Sequence, residues 1–387
     1  MFYIVFISGF IFSFLSTKKK FLHYIIIFYG TLLSMFLLAI FRYGIGPDYF
    51  SYKFLYEFLI NKSILSTLYD SSVKGEVGFE LISALLKKIG LTYQQYLSFF
   101  AFINLFFVGR ICKKYSNNPI LSLTIYFSLY YFVWTFSAIR QGITIPIGMY
   151  YFLEYLQNKN TKKMILISLI LSTIHMSALI LLLFILVDKA GLNKKHIVTL
   201  MMFSLVISTL PISNIIRQLN WLPISYRILP YLSEKAFLNN IFDFKTLGRL
   251  VFLMIGFIFY DVYAKQGKLY KSTINVYMVS LSIYFILKSS ELMAARLSIY
   301  GVFLIIIIMP NIIYLLNEKF DRYMYIGFIF VFCSLYLTKE LVSMAETSGL
   351  VISNLFAVPY VNVFNKDYYI FDSKYLNIIR ILQNRLE

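Results

Sequence analysis

Apolar runs of about twenty residues recur from one end of the chain to the other, and each is long enough to cross the hydrocarbon core of a bilayer as a helix. Residues 24–41, 93–109, 273–287 and 297–316 are the clearest examples. The residue-by-residue alternation of a membrane β-barrel is missing from these runs. Only 14% of the chain is charged, where roughly a quarter is usual in soluble proteins. With 59% hydrophobic residues, the expected fold is an all-α, polytopic integral membrane protein. The first run, 2–15, has no basic stretch before it and no small-residue cleavage site after it. It is therefore expected to be a first span rather than a signal peptide.

The net charge of +18 would point a soluble protein toward nucleic acid. Here it follows from basic clusters between the apolar runs, at 18–20, 110–114, 159–163, 189–195, 265–271 and 319–322. Short loops of this kind belong in the cytoplasm. Nucleic acid is thus not an expected partner, whereas anionic membrane lipid or a diphosphate is. Segments of mixed sign near 42–92, 213–246 and 289–296, and the tail 339–387, are assigned outside.

About ten full spans follow from that map: 2–15, 24–41, 93–109, 121–136, 143–156, 197–210, 247–264, 273–287, 297–316 and 324–337. The run 164–187 does not fit the alternation, because basic loops flank both of its ends. A re-entrant helical hairpin turning at 172–177 keeps the charge rule and sets His175 beside a wet cavity. One plain span that breaks the rule is the alternative. Residues 75–90 read as an interfacial amphipathic helix. The loop 213–246, with Arg217, Trp221, Arg227 and several prolines and tyrosines, reads as a lid or glycan platform. The whole of 1–387 is taken as one membrane domain. Cys112 and Cys333 are far apart and lack metal-ligand spacing.

The chemistry gathers where spans end. In FRYGIGPDYFSY, residues 41–52, Gly44, Gly46 and Pro47 must stop the preceding helix. Arg42, Asp48 and Tyr52 then emerge at the bilayer rim, where an anionic, sugar-bearing lipid could be held. An interfacial aromatic belt would use the same residues. Arg140 and Gln141 open a span from the outside; an arginine there either forks onto a phosphate or snorkels to headgroups. Glu291 and Arg296 form either a site or a structural ion pair. His175 is either a site residue or a satisfied core histidine. Together with Glu76, these mixed charges fall on the outer side. Arginines would neutralise a leaving diphosphate while a carboxylate takes a hydroxyl proton, as glycosyl transfer from a lipid diphosphate requires. No P-loop, dinucleotide fingerprint or HExxH pattern is present, which disfavours a nucleotide-driven cytoplasmic enzyme.

These residues resemble the EpsG branch of the Wzy-type bacterial polysaccharide polymerases. RYGIGPDYFSY is similar to the family's arginine followed by G-x-D-x-x-x-Y. GEVGFELISALLKKIG resembles its E-P-G-[FY]-x-L-[IL] segment, with Val77 in place of proline. FSAIRQGITIPIGMYYFLEYL resembles its R-Q-x-[IL]-A stretch, departing at Thr144 and Ile145. LSTIHMSALI and ELMAARLSIYG resemble its histidine and late arginine-tyrosine segments.

The resemblance implies a GT-C-like helical architecture and a site that works without metal or other cofactor. It implies transfer of a glycan chain from undecaprenyl diphosphate onto a lipid-linked repeat unit at the outer face of the bacterial inner membrane. A chain-length regulator protein is a further implied partner. The roles it implies are Arg140 and Arg296 on the diphosphate with Arg42 supporting, and Asp48 as first candidate base with Glu291 and His175 next. Tyr52 and Gln141 would orient sugar hydroxyls, and Glu76 would bind or brace an arginine. Two alternatives stay open: a flippase for lipid-linked glycans, and a ligase that passes the glycan to another acceptor. A sugar acyltransferase is more remote, because His175 has no carboxylate near it in sequence.

Overall fold

The structure, a computed structural model, describes residues 1–15, 21–60, 76–210, 244–350, 354 and 358–369. Among these the chain is helical, apart from a single backbone bridge between Arg42 and Asn362. Each expected span lies on a helix or on two consecutive ones. The helices Phe21–Phe41, Tyr93–Tyr115 and Ile139–Asn158 follow their apolar runs closely. By length and apolarity, three helices among the described residues qualify as spans: His23–Phe41, Tyr93–Tyr115 and Lys319–Thr347. Glu291–Val302 and Ile305–Leu315 qualify together, bent by 43° at their junction. Large apolar side chains such as Leu33, Leu166, Met202 and Val331 stand exposed on these helices, as lipid contact requires.

Some boundaries differ from expectation. Residues 289–296, expected as loop, already include the first turns of the helix Glu291–Val302. The helix Lys319–Thr347 runs well past 337, because nothing in KELVSMAET breaks it. Run 164–187 is interrupted as the sequence indicates: Thr161–Ile174 ends, a 3₁₀ turn covers Met176–Leu179, and Ile180–Ala190 resumes. Most of the expected lid, including Arg217, Trp221 and Arg227, lies outside the described residues, as do 61–75 and the end of the tail.

Two compact units emerge. The first comprises residues 1–150, 170–176 and 309–387. Its centre is the helix Pro119–Leu129, in which every residue is buried. Asn118 starts this helix by accepting the Leu121 amide hydrogen, and Pro119 occupies the first position, where a missing N–H costs nothing. Around it pack Phe2–Leu15, Phe21–Phe41, Tyr93–Tyr115 and Lys319–Thr347. The second unit comprises residues 151–169 and 177–308. There Lys268–Ile286 is the central helix, buried without a gap from Thr273 to Ser282. It packs against Ile180–Ala190, Lys194–Ser208, Phe244–Ile258 and Glu291–Val302.

Candidate active site

The rim that follows Phe41 is held by residues from the far end of the chain. Gly44 and Gly46 take the positive φ values, 67° and 104°, that turn the backbone out of the helix. The Tyr43 amide hydrogen then donates to Val361 O at 3.0 Å, and that of Val363 to Phe41 O at 2.9 Å. The Tyr360 hydroxyl donates to Leu38 O at 2.9 Å. Inside this clasp Arg42 is only 1% exposed. Its Nη1 donates to Ala39 O at 2.8 Å and its Nη2 to Phe136 O at 2.6 Å, with the guanidinium 4.8 Å from the Phe136 ring centre. A buried cation must spend its donors on protein acceptors; Arg42 spends both terminal nitrogens on backbone carbonyls, while its Nε has no partner among the described residues. In the fold these bonds brace the rim that follows Phe41.

Beyond the rim the short helix Tyr49–Phe54 carries Tyr52 inward. The Tyr52 hydroxyl accepts from Arg140 Nε at 3.3 Å. The Arg140 guanidinium also lies over the Tyr52 and Phe79 rings, 5.8 and 5.6 Å from their centres. Its Nη1 donates to Glu76 Oε2 at 3.2 Å. The other oxygen of the same carboxylate accepts the Met176 amide hydrogen at 2.8 Å and lies 2.7 Å from His175 Nδ1. One carboxylate therefore joins an arginine to an imidazole.

The local backbone explains why these groups meet. The amide of His175 closes the last turn of its helix onto Leu171 O, and the following turn tightens to 3₁₀. The Met176 amide is left without a helical acceptor, and Glu76 supplies one. Glu76 is the N-cap of Val77–Lys88, whose first turn rests against Thr173. A Cβ at Gly78 would lie 2.2 Å from Thr173 Oγ1 and 2.9 Å from its carbonyl carbon, so glycine alone permits that seating. The helix turns Phe79, Ser83, Ala84 and Leu86 inward and leaves Val77 and Leu85 exposed, but Glu80 is buried on the inward face as well.

The charges reinforce one another. Burial alone would raise the pKa of Glu76, but the bonds from His175 and Met176 and the Arg140 charge outweigh it and hold the carboxyl below its usual range. Burial would lower that of Arg140; Tyr52, Glu76 and Asp48 together push it up instead. Asp48, half-buried at the start of Tyr49–Phe54, thus lies within electrostatic reach of Arg140. Burial keeps Tyr52 neutral by raising its pKa against the opposing pull of Arg140. His175 Nδ1 faces the Glu76 carboxylate across that 2.7 Å. Both ring nitrogens are buried and neither makes an aligned hydrogen bond among the described residues, Nδ1 having the carboxylate beside it.

The structure brings together Arg140, Tyr52, Glu76 and His175, with Asp48 nearby. Gln141 is buried beside them in sequence, its carbonyl accepting the Thr144 hydroxyl at 3.0 Å. Glu291 and Arg296 are exposed on the helix Glu291–Val302 of the second unit. The Met176 amide and the Phe79 ring were missed by sequence reasoning, the former because a backbone donor leaves no trace in residue identity. The model of the EpsG family matches residues 24–362, a stretch that contains every residue of the cluster. Neither a curated protein nor a solved structure matches the chain.

Proposed function

Because the chain belongs to the EpsG family, we propose that it is a polysaccharide polymerase. It moves a growing glycan from undecaprenyl diphosphate onto a lipid-linked repeat unit at the outer face of the bacterial inner membrane. About ten spans and a re-entrant segment in a GT-C-like membrane domain would carry the site. Membrane lipid surrounds it, and a chain-length regulator is its protein partner.

The observation that carries the chemistry is Glu76, bound to Arg140 through one oxygen and to His175 and Met176 through the other. In the transfer, an acceptor hydroxyl attacks the anomeric carbon of the donor glycan. The bond from that carbon to the diphosphate oxygen breaks, and its electron pair leaves with the diphosphate. Arg140, with 34% of its side chain open, is able to meet that growing charge. His175 Nε2 takes the hydroxyl proton, and Glu76 holds the ring in the tautomer that makes this possible. This pairing supports His175 ahead of Asp48 as the base. Asp48 sets the field around Arg140, while Tyr52 and Gln141 orient sugar hydroxyls. Arg296 keeps the phosphate role and Glu291 the alternative-base role that the family resemblance gives them, each to be tested by its own substitution.

The test is incubation of purified protein with a synthetic lipid-diphosphate-linked repeat unit, without nucleotide and with chelator, followed by a gel of the glycans. A ladder is expected, and it should collapse in folded Arg140→Ala and His175→Ala. A single unchanged band would overturn the polymerase. If the same lipid then crosses liposome membranes faster with protein present, a flippase takes its place. Transfer only to a different added acceptor would mark a ligase.

A further inference from the structure

Pro146 lies inside the helix Ile139–Asn158. Proline has no amide hydrogen, so the carbonyl four residues earlier, that of Gly142, loses the partner a regular helix would give it. In a packed interior an unpaired carbonyl is costly. Asn104, on the helix Tyr93–Tyr115, meets it: Nδ2 donates to Gly142 O at 2.6 Å. A carbonyl can only accept, so the amide nitrogen of Asn104 must face Gly142 and its oxygen must face away. On that other side Oδ1 accepts the hydroxyls of Tyr126 at 2.8 Å and Thr135 at 3.0 Å. Those two hydroxyls are themselves 2.8 Å apart. All three side chains are buried, and Asn104 is 1% exposed.

The surroundings leave this turn little freedom. Thr135 closes a turn of π-helix, Tyr131–Thr135. The preceding carbonyl, that of Trp134, runs so near Gly142 that a Cβ there would lie 1.8 Å from its oxygen. The first turn of Ile139–Asn158, which carries Arg140, is therefore walled by backbone on one side and tied by an amide on another.

We propose that Asn104 is a positioning residue for Arg140. It satisfies the carbonyl that Pro146 orphans, and so fixes the turn from which Arg140 reaches Glu76 and Tyr52. Asn104 itself touches no substrate. The consequence for turnover rests on the polymerase assignment above; the geometric consequence does not.

A nitroxide at Ala138→Cys, in protein whose Cys112 and Cys333 are replaced by alanine, reads the mobility of the turn directly. Asn104→Ala should loosen the spectrum. Asn104→Ala combined with Pro146→Ala should restore it, because the new amide hydrogen at 146 serves Gly142. In unlabelled protein Asn104→Ala should lower kcat about tenfold with little change in KM, and the double variant should recover most of it. Should Asn104→Ala fail to fold while the double variant folds, the same dependence is seen more strongly. An unchanged spectrum in Asn104→Ala, or equal loosening with and without Pro146, overturns the inference, as does loss of folding in both. If the spectra behave as expected and none of these proteins makes polymer, the polymerase assignment fails and the positioning role stands.

Discussion

Two carboxylates, one in each unit, collect several donors, and they end in different chemical states. Glu76 joins groups that keep unused capacity: an arginine with a third of its side chain open and an imidazole with a bare nitrogen. Asp188, at the lysine-rich end of Ile180–Ala190, is only 6% exposed and is saturated. Lys159 Nζ reaches its two oxygens at 2.9 and 2.8 Å, the Tyr155 hydroxyl donates at 2.9 Å, and Ser272 Oγ donates at 2.6 Å. Burial would raise the Asp188 pKa, but those bonds from Lys159, Ser272 and Tyr155 hold it below the usual range. Both acids are therefore depressed for the same physical reason. A depressed carboxylate by itself does not mark chemistry; what its partners have left to offer does.

The sharpest way to break the comparison is to remove those partners. Arg140→Ala and His175→Ala should each reduce polymer formation by about a hundredfold or more, measured as initial rate on the repeat-unit substrate. Lys159→Ala should leave that rate close to wild type. A rate loss in Lys159→Ala equal to that in Arg140→Ala would erase the distinction. Glu76→Gln comes next: it removes the charge that sets the His175 tautomer and steadies Arg140. A loss of about ten- to a hundredfold in kcat is expected, with the protein folded. Asp188→Asn should act on stability instead, by about 1–3 kcal/mol, since a buried acceptor with several donors is weakened. Its reporter is the thermal unfolding midpoint in detergent, with turnover per folded molecule retained.

The smallest effect is on pH. Glu76 has a folded pKa below its unfolded one, so its contribution to stability is complete above about 4.3 and is lost as pH falls through the lower folded value. The difference in unfolding midpoint between wild type and Glu76→Gln should hold steady from pH 7 to about 5 and vanish in stronger acid. A gap that instead widened on acidification would show that the charge of Glu76 destabilises the fold.

The helices were legible because hydropathy and helix breakers act locally. Gly44, Gly46 and Pro47 end one helix where the sequence says, and the interruption at His175 falls within 172–177, where one of the two readings of that run put a turn. The amphipathic stretch around Phe79 was plain too, except that Glu80 lies on its buried face. The site was legible only as a set of residue types near span ends. Its pairing was hidden, because Glu76 and Met176 lie 100 residues apart. His175 has no carboxylate near it in sequence, yet the fold supplies Glu76. The engagement of Arg42 was hidden in the same way. An arginine after a span looks available, and only the positions of Ala39 O and Phe136 O reveal that it is engaged.

The clasp around Arg42 also fixes an order of events during synthesis. Its guanidinium needs Phe136, 94 residues later, and the rim that covers it needs Tyr360, 322 residues after Leu38. At roughly 5–20 residues per second, a ribosome takes tens of seconds to supply that last piece. Throughout that interval the newborn rim lacks the stretch of its own chain that pairs with it, and the final residues of the match to its family are among those that close it.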